Sequence, residues 1–283
     1  MPRRGKFFYF IIKSMDVFQR IYMRLYTILS PSSEAYTVFD ARMLCNSRDF
    51  VQRRIRFFGI FEHNLTHFTL SRLKQGDGYA DIGANVGYYS LLASKKVGAD
   101  GIVVSVEADP TTFTRLQTNL SLNDTGNVRA LNVAATEEPC TISIRKGTKH
   151  NAGANAVAVD ASGTIPGLPL KRILGDDIGK INFIKIDIEG SEGPVLKSIL
   201  DDVDRFPADL IVASEVSDDS SEFVEKFIRA GFRAYAISNI YTVDYYLISS
   251  YLRRIGDPST FDIVETNRFL PGQNDYVFER MHA

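Results

Sequence analysis

Residues 79–90 read Tyr79-Ala80-Asp81-Ile82-Gly83-Ala84-Asn85-Val86-Gly87-Tyr88-Tyr89-Ser90. A short apolar strand ends in an acid, turns through a loop holding two glycines, and passes into a helical pattern that starts near Asn85. Gly83 and Gly87 allow the backbone to come close to a ligand, and the first turn of a helix offers N–H groups to whatever lies in the loop. The stretch predicts a cofactor cradle at the carboxyl end of a strand.

Charge decides which cofactor the cradle suits. Dinucleotide sites space their glycines G-x-G-x-x-G and seat a pyrophosphate on the helix N-terminus. Here the spacing is G-x-x-x-G and Asp81 stands at the strand tip, where a carboxylate repels phosphate. The same carboxylate suits the ammonium and sulfonium charges of S-adenosylmethionine, which carries no phosphate. A second strand, Ile102 to Val106, also leads into an acid, Glu107, which can accept both ribose hydroxyls. Nicotinamide proteins use that device too, so Asp81 discriminates and Glu107 does not.

Further along, Ile181-Asn182-Phe183-Ile184-Lys185-Ile186-Asp187-Ile188-Glu189-Gly190 reads as a strand with Lys185, Asp187 and Glu189 on one side. A central parallel strand is ordinarily apolar on both faces, so three ionisable residues there either pair or line the cleft at the carboxyl end of the sheet. Asp187 and Glu189 are the expected border of a reaction site, with Lys185 balancing their charge. Leu210 to Ser214 leads to Glu215 on a neighbouring strand, placing another acid beside them. Glu189, Asp187 and Glu215 are the candidate bases.

The alternation of strand and helix from Gly78 onward implies a parallel sheet with right-handed crossovers. Asp109-Pro110 marks a helix start, Val128 to Ala135 a third strand, and Thr141 to Arg145 an extra hairpin partner. Residues 146–167 read as a long irregular loop carrying His150, Asn151 and Asn155. Phe232 to Ile237 and Tyr276 to Phe278 complete the strands, and residues 240–275 read as an insertion.

Before the cradle lie helical patterns. Phe7, Ile11, Met15, Phe18, Tyr22, Leu25 and Leu29 form one stripe that Pro31 ends, flanked by Arg3, Arg4, Lys6, Lys13, Arg20 and Arg24 against Asp16. Packing on the domain or on a second subunit is the default reading; contact with an anionic membrane surface is the alternative. Ser47 is the expected cap of a second helix that Gly59 closes. His63 and His67 sit four apart on a third, but no third ligand lies nearby and no metal is expected.

Composition narrows the classes further. A formal charge of −1 over 283 residues gives no reason to expect a nucleic-acid partner. Cys45 and Cys140 lie far apart with no C-x-x-C, which favours a reduced compartment. No stretch reaches the roughly 20 apolar residues of a membrane span, and a cytoplasmic location is expected.

These motifs together resemble the FkbM family of S-adenosylmethionine-dependent methyltransferases, within the class I methyltransferase fold. Asp81 to Gly87, Val106-Glu107-Ala108-Asp109-Pro110, Asn119 with Asn123, Asn132 to Ala134, and Lys185 to Glu192 carry the likeness. It implies a Rossmann-like α/β domain with a seven-stranded, mostly parallel sheet in the order 3-2-1-4-5-7-6, the seventh strand antiparallel. That domain would span residues 76–283, with the insertion at about 240–275, after a helical extension over residues 1–75. The resemblance also implies O-methyl transfer to a hydroxyl of a sugar, polyketide or other small secondary metabolite. By motif position, Asp81, Gly83, Asn85 and Gly87 would hold the methionine part, Glu107 the ribose, and the backbone near Val133 and Ala134 the adenine, with Ala108 also among the cofactor-binding residues. A nicotinamide-dependent oxidoreductase and a binding protein without turnover remain the competing classes, and a homo-oligomer is compatible with all three.

Overall fold

The computed structural model describes residues 21–145, 156–159, 163–188, 190–242, 245–246, 263–271 and 275–281. By internal contacts the chain divides into Met1–Phe68 with Asn239–Asp262, and Thr69–Ser238 with Ile263–Ala283.

In the first unit, residues 21–29 form helix α1. The stripe proposed for residues 7–29 otherwise lies outside the described residues. Met23 is buried, and Tyr22 and Tyr26 meet the edge of Phe57 at 6.2 and 6.0 Å between ring centroids. Strands β1 (Ser32–Tyr36) and β2 (Arg42–Asn46) then pair antiparallel, a hairpin that helical reasoning does not anticipate. Its alternation is plain in hindsight: Ala35, Met43 and Cys45 are buried while Tyr36 and Leu44 face outward. Burial pushes the Cys45 thiol up to about 12, so it behaves as a small apolar group; it and Cys140 are both free.

Helix α2 (Phe50–Phe58) is capped by Asp49, whose carboxylate accepts from the Gln52 amide at 2.9 Å, and not by Ser47. An acid at this position answers the helix dipole as well as the open N–H groups. Ser47 is instead buried, with the Arg56 guanidinium donating to its hydroxyl. Gly59 ends the helix at φ +70°, as expected. On helix α3 (His63–Arg72), the His63 ring packs edge-on against Tyr246 at 4.4 Å. Among the described residues, no group of His, Cys, Asp and Glu side chains is arranged to hold a metal ion.

The second unit is built on a mostly parallel sheet. In chain order its parts are β3 (Gly78–Ile82), α4 (Tyr88–Val97), β4 (Ile102–Val106), α5 (Pro110–Ser121) and β5 (Val128–Leu131), then β6 (Ala134–Ala135), β7 (Cys140–Arg145), β8 (Ala156–Val159), β9 (Ile165–Leu168) and α6 (Leu170–Leu174). There follow β10 (Ile181–Ile186), α7 (Glu192–Asp201), β11 (Ile211–Glu215), α8 (Glu222–Arg229), β12 (Phe232–Ile237), β13 (Ile263–Thr266) and β14 (Asp275–Arg280). The sheet order is β13-β12-β14-β11-β10-β3-β4-β5, with β14 antiparallel to both of its neighbours. Seven of these strands stand in the expected 3-2-1-4-5-7-6 order. The eighth, β13, extends the edge antiparallel to β12 from within the region read as an insertion.

One face of the sheet forms the core. Ala80, Ile82, Val104, Val106, Ile184, Ile186 and Val212 pack with Val195, Leu196 and Ile199 of α7 and Phe227 of α8. The alternating partners Tyr79 and Phe183 stack on the opposite face at 5.2 Å.

Two readings of the middle of the chain are corrected. The third strand stops at Leu131, and Ala134–Ala135 belongs to a separate four-stranded sheet ordered β6-β9-β7-β8. The stretch 146–167 is not one irregular loop, since it holds β8 and the start of β9; both pair with β7, whose β-branched residues favour strand. The Gly and Pro of Ile165-Pro166-Gly167-Leu168 conceal that strand from a propensity argument. His150, Asn151 and Asn155 lie outside the described residues.

Candidate active site

The loop after β3 is shaped by its backbone. Gly83 and Gly87 have φ of +86° and +91°, and Asn85 between them has φ +50°, a conformation asparagine tolerates better than most residues. A Cβ on Gly83 would lie 1.9 Å from the Asp187 carbonyl oxygen, so only glycine lets the loop pass under the end of β10. Helix α4 therefore begins at Tyr88 with Gly87 as its cap, three residues later than the sequence pattern places it.

Four of the loop amides are already engaged. Gly83 and Ala84 N–H donate to the Val106 carbonyl at 2.9 and 2.8 Å, and Gly87 N–H donates to the Ala84 carbonyl at 2.8 Å. Asn85 N–H donates to Glu107 Oε2 at 2.9 Å, and Asp109 N–H to Glu107 Oε1 at 2.8 Å. Both oxygens of Glu107 are thus oriented by backbone, while burial pushes its carboxyl up to about 7 against the pull of those two amides. Asn132 fixes the neighbouring turn from the third strand, donating to the carbonyls of Glu107 and Ala108 at 2.8 and 3.0 Å. Asn119 does the same for the loop, donating to the Val86 carbonyl at 2.8 Å.

Asp81 lies beneath this loop and is 1% exposed. Ser90, in the first turn of α4, donates its hydroxyl to Asp81 Oδ2 at 2.6 Å, and Ser105 of β4 donates to Ser90 at 2.8 Å. Asp81 Oδ1 is buried with no hydrogen-bond partner. Burial raises the Asp81 carboxyl above its ordinary value, opposed by the charge of Lys185 and by the hydroxyl and backbone amide of Ser90. The negative group at the N-terminus of α4 is therefore a side chain of the protein itself.

Sheet register sets Lys185 directly beside Asp81 on one flank, with Ser105 beside Asp81 on the other. The Lys185 ammonium is 2.9 Å from Asp187 Oδ2 and 4.8 Å from the centre of the Tyr89 ring. The Lys185 side chain is 6% exposed and that of Asp187 40%, so a buried cation steadies a carboxylate that faces solvent. Beyond β10, Glu192 closes the next turn, its Oε1 accepting from the amides of Ile188 and Gly190 at 3.1 and 3.0 Å. Ile186 pairs with Ser214, so Asp187 and Glu215 follow at the same level on adjacent strands, and Glu215 is level with Asp275 on β14.

The structure thus brings Asp81, Gly83, Asn85, Gly87, Glu107, Lys185, Asp187 and Glu215 to one edge of the sheet. Ala108 packs against a small cluster of Ala134, Ile142 and Ile165, and Val133 packs against the main core. Glu189 lies outside the described residues. Sequence reasoning missed Ser90, Ser105, Tyr89 and Glu192 as supports. A serine inside Val103-Val104-Ser105-Val106 and another opening an apolar helix were the available signals.

A family model described as Methyltransferase FkbM domain matches residues 81–234. Over 178 residues the chain is 28% identical to a protein named hexuronic acid methyltransferase AglP from Haloferax volcanii, covering 61% of this chain and 70% of that one. Among solved structures, a SAM-dependent O-methyltransferase from Thermotoga maritima is similar over 90% of this chain and 79% of its own, at 12% identity and a TM-score of 0.45. The methyltransferase FkbM from Methylobacillus flagellatus is similar over 74% of this chain and 44% of its own, at 15% identity and a TM-score of 0.37.

Proposed function

Because this chain belongs to the FkbM methyltransferase family, we propose that its loop 82–87 seats S-adenosylmethionine and that the methyl group goes to a hydroxyl of a sugar-like acceptor. One observation carries the cofactor half of this reading: Asp81 accepts from Ser90 in the first turn of α4, and the amides of Gly83, Ala84, Asn85 and Gly87 are bound within the protein. A pyrophosphate would find a buried carboxylate where it needs N–H donors. A cationic, phosphate-free cofactor meets no such conflict, and the partnerless Asp81 Oδ1 adds negative potential beneath the loop. A nicotinamide dinucleotide is disfavoured on the same ground.

Asp81, Gly83, Asn85 and Gly87 would flank the methionine portion, Glu107 and Ala108 the ribose, and the backbone at Val133 and Ala134 the adenine. S-adenosylmethionine supplies an electrophilic methyl group on a sulfonium sulfur. The chain's own residues hold the acceptor in line and take its proton, and orientation of this kind can contribute about 7 to 11 kcal/mol. Lys185, held by Tyr89, fixes the direction of the Asp187 carboxylate. Asp187, Glu189 and Glu215 are the candidate general bases. One of these carboxylates would accept a hydrogen bond from the acceptor hydroxyl and take its proton, a role worth ~10² to 10⁴ in rate. The acceptor class rests on the relative whose name specifies a hexuronic acid.

Calorimetry with S-adenosylmethionine on the full chain and on Glu189→Gln, followed by turnover of radiolabelled cofactor with hexuronic acid glycosides, tests the reading. Retained binding with turnover slowed at least about tenfold is expected for loss of a general base. Absence of cofactor binding to the full chain overturns the assignment; unchanged turnover removes Glu189 as base.

A further inference from the structure

Helix α1 carries a face that is exposed among the described residues. Ile21, Leu25, Ile28 and Leu29 fall within one arc of the helix and are 52%, 56%, 68% and 80% exposed. The adjoining arc is the docked one, where Met23 is buried and Tyr22 and Tyr26 pack on Phe57, with the Arg56 guanidinium over Tyr26 at 4.4 Å. The outward stripe is therefore held in place by α2, and Arg24 flanks it, exposed. Four large aliphatic side chains side by side on one short helix are more than scattered surface residues.

Charge identifies the occupant. Residues 1–29 contain six basic groups, Arg3, Arg4, Lys6, Lys13, Arg20 and Arg24, against Asp16, a formal +5. With −1 for the whole chain, the remaining residues carry −1 − 5 = −6. Face-to-face pairing with the same helix of a second copy would set +5 against +5, which Coulomb repulsion opposes. Among the described residues no helix is long and apolar enough to cross a membrane, so the stripe is suited to lie on a surface. We propose that helix α1 docks the protein on an anionic lipid surface, the Ile21, Leu25, Ile28 and Leu29 stripe entering the interface, Arg24 meeting the headgroups and the net positive charge of residues 1–29 attracting the surface. An apolar stripe with basic flanks and tyrosines beside it has the composition of an interfacial helix. The acidic remainder of the chain would be repelled by the same headgroups, which orients the docking through this end.

The test is cosedimentation of the full chain with vesicles of phosphatidylcholine alone, or of roughly three parts phosphatidylcholine to one part phosphatidylglycerol, at low and high salt. Binding to the anionic vesicles only, weakened by salt, is expected. Leu25→Glu with Ile28→Glu should weaken it at least about a hundredfold, the scale of losing two buried aliphatic groups. Arg24→Gln, which leaves the apolar stripe intact, should weaken it about fivefold, the contribution of one basic residue at such a surface. Circular dichroism melting curves matching the parent confirm that each variant is folded. No binding to anionic vesicles at low salt overturns the proposal, as does equal binding by the variants. Light scattering that shows a dimer dissolved by the Leu25/Ile28 change, in a chain indifferent to lipid, also overturns it and assigns the stripe to a second copy.

Discussion

Replacing Glu107 by glutamine should reveal a conflict between folding and ligand binding at the second strand end. Burial holds this carboxyl near 7 against an ordinary 4.5. A carboxyl raised in the folded state keeps its proton more tightly there than in the unfolded chain, so its contribution to stability is full below 4.5 and is lost as the pH rises through 7. The whole difference is worth about 3.4 kcal/mol, and about 2.5 kcal/mol of it is lost between pH 5 and pH 8. Glutamine mimics the protonated acid and does not titrate. Relative to Glu107→Gln, the parent protein should therefore become less stable by about 2 to 2.5 kcal/mol between those pH values, measured by urea denaturation. Over the same range the parent's affinity for S-adenosylmethionine should move the other way. If the ribose hydroxyls donate to the ionised form, affinity falls about tenfold from pH 8 to pH 6, and the glutamine variant binds weakly throughout. Stability curves that run parallel for the two proteins would refute the reasoning about burial; an affinity that ignores pH would refute the ribose role.

Two more outcomes follow from the same edge of the sheet. Gly83→Ala should cost more than Gly87→Ala, although both glycines have positive φ, because the new Cβ meets the Asp187 carbonyl at 1.9 Å in the first case and the movable end of Leu116 at 2.6 Å in the second; comparable thermal melting losses would count against the close approach of loop and strand. Lys185→Met should cost about 3 to 5 kcal/mol near neutral pH, as for a buried pair losing one partner. That loss should shrink as the pH is lowered, because Asp81, already raised above 3.8, can take up a proton in place of the missing ammonium. A double-mutant cycle with Asp81→Asn should show coupling of about 1 to 3 kcal/mol, and simple additivity would deny that the two charges support each other.

The sheet was legible because its signals are local and repeated. Four of the five parallel strands, β3, β4, β10 and β11, are short apolar runs leading to an acid, and Asp109-Pro110 caps α5 as its residue types dictate, Asp109 accepting from the amides of Thr111 and Thr112 at 2.7 and 3.0 Å. The parts that escaped depend on partners distant in the chain. β9 exists only because β7 and β6 flank it, and β13 only because β12 offers an edge. At the site, residue types pointed to Asp81 and Glu107, but their surroundings did not follow from spacing. Asp81 is buried against Ser90 because α4 starts at Tyr88, a displacement set by the left-handed turns at Asn85 and Gly87. Likewise the Lys185 to Asp187 pair follows from alternation along one strand, whereas Tyr89 reaches Lys185 from a different element.

The carboxylate lodged at the start of α4 also bears on how this protein would fare among the metabolites of a living cell. ATP, NAD and sugar nucleotides abound there, and each seeks a helix end to cradle its phosphates. Under the proposed cofactor assignment, that berth being taken from within would count against all such molecules at once, without any need for tight selection among them. A scarcer cation such as the proposed S-adenosylmethionine would then find the crevice vacant, even where its rivals vastly outnumber it.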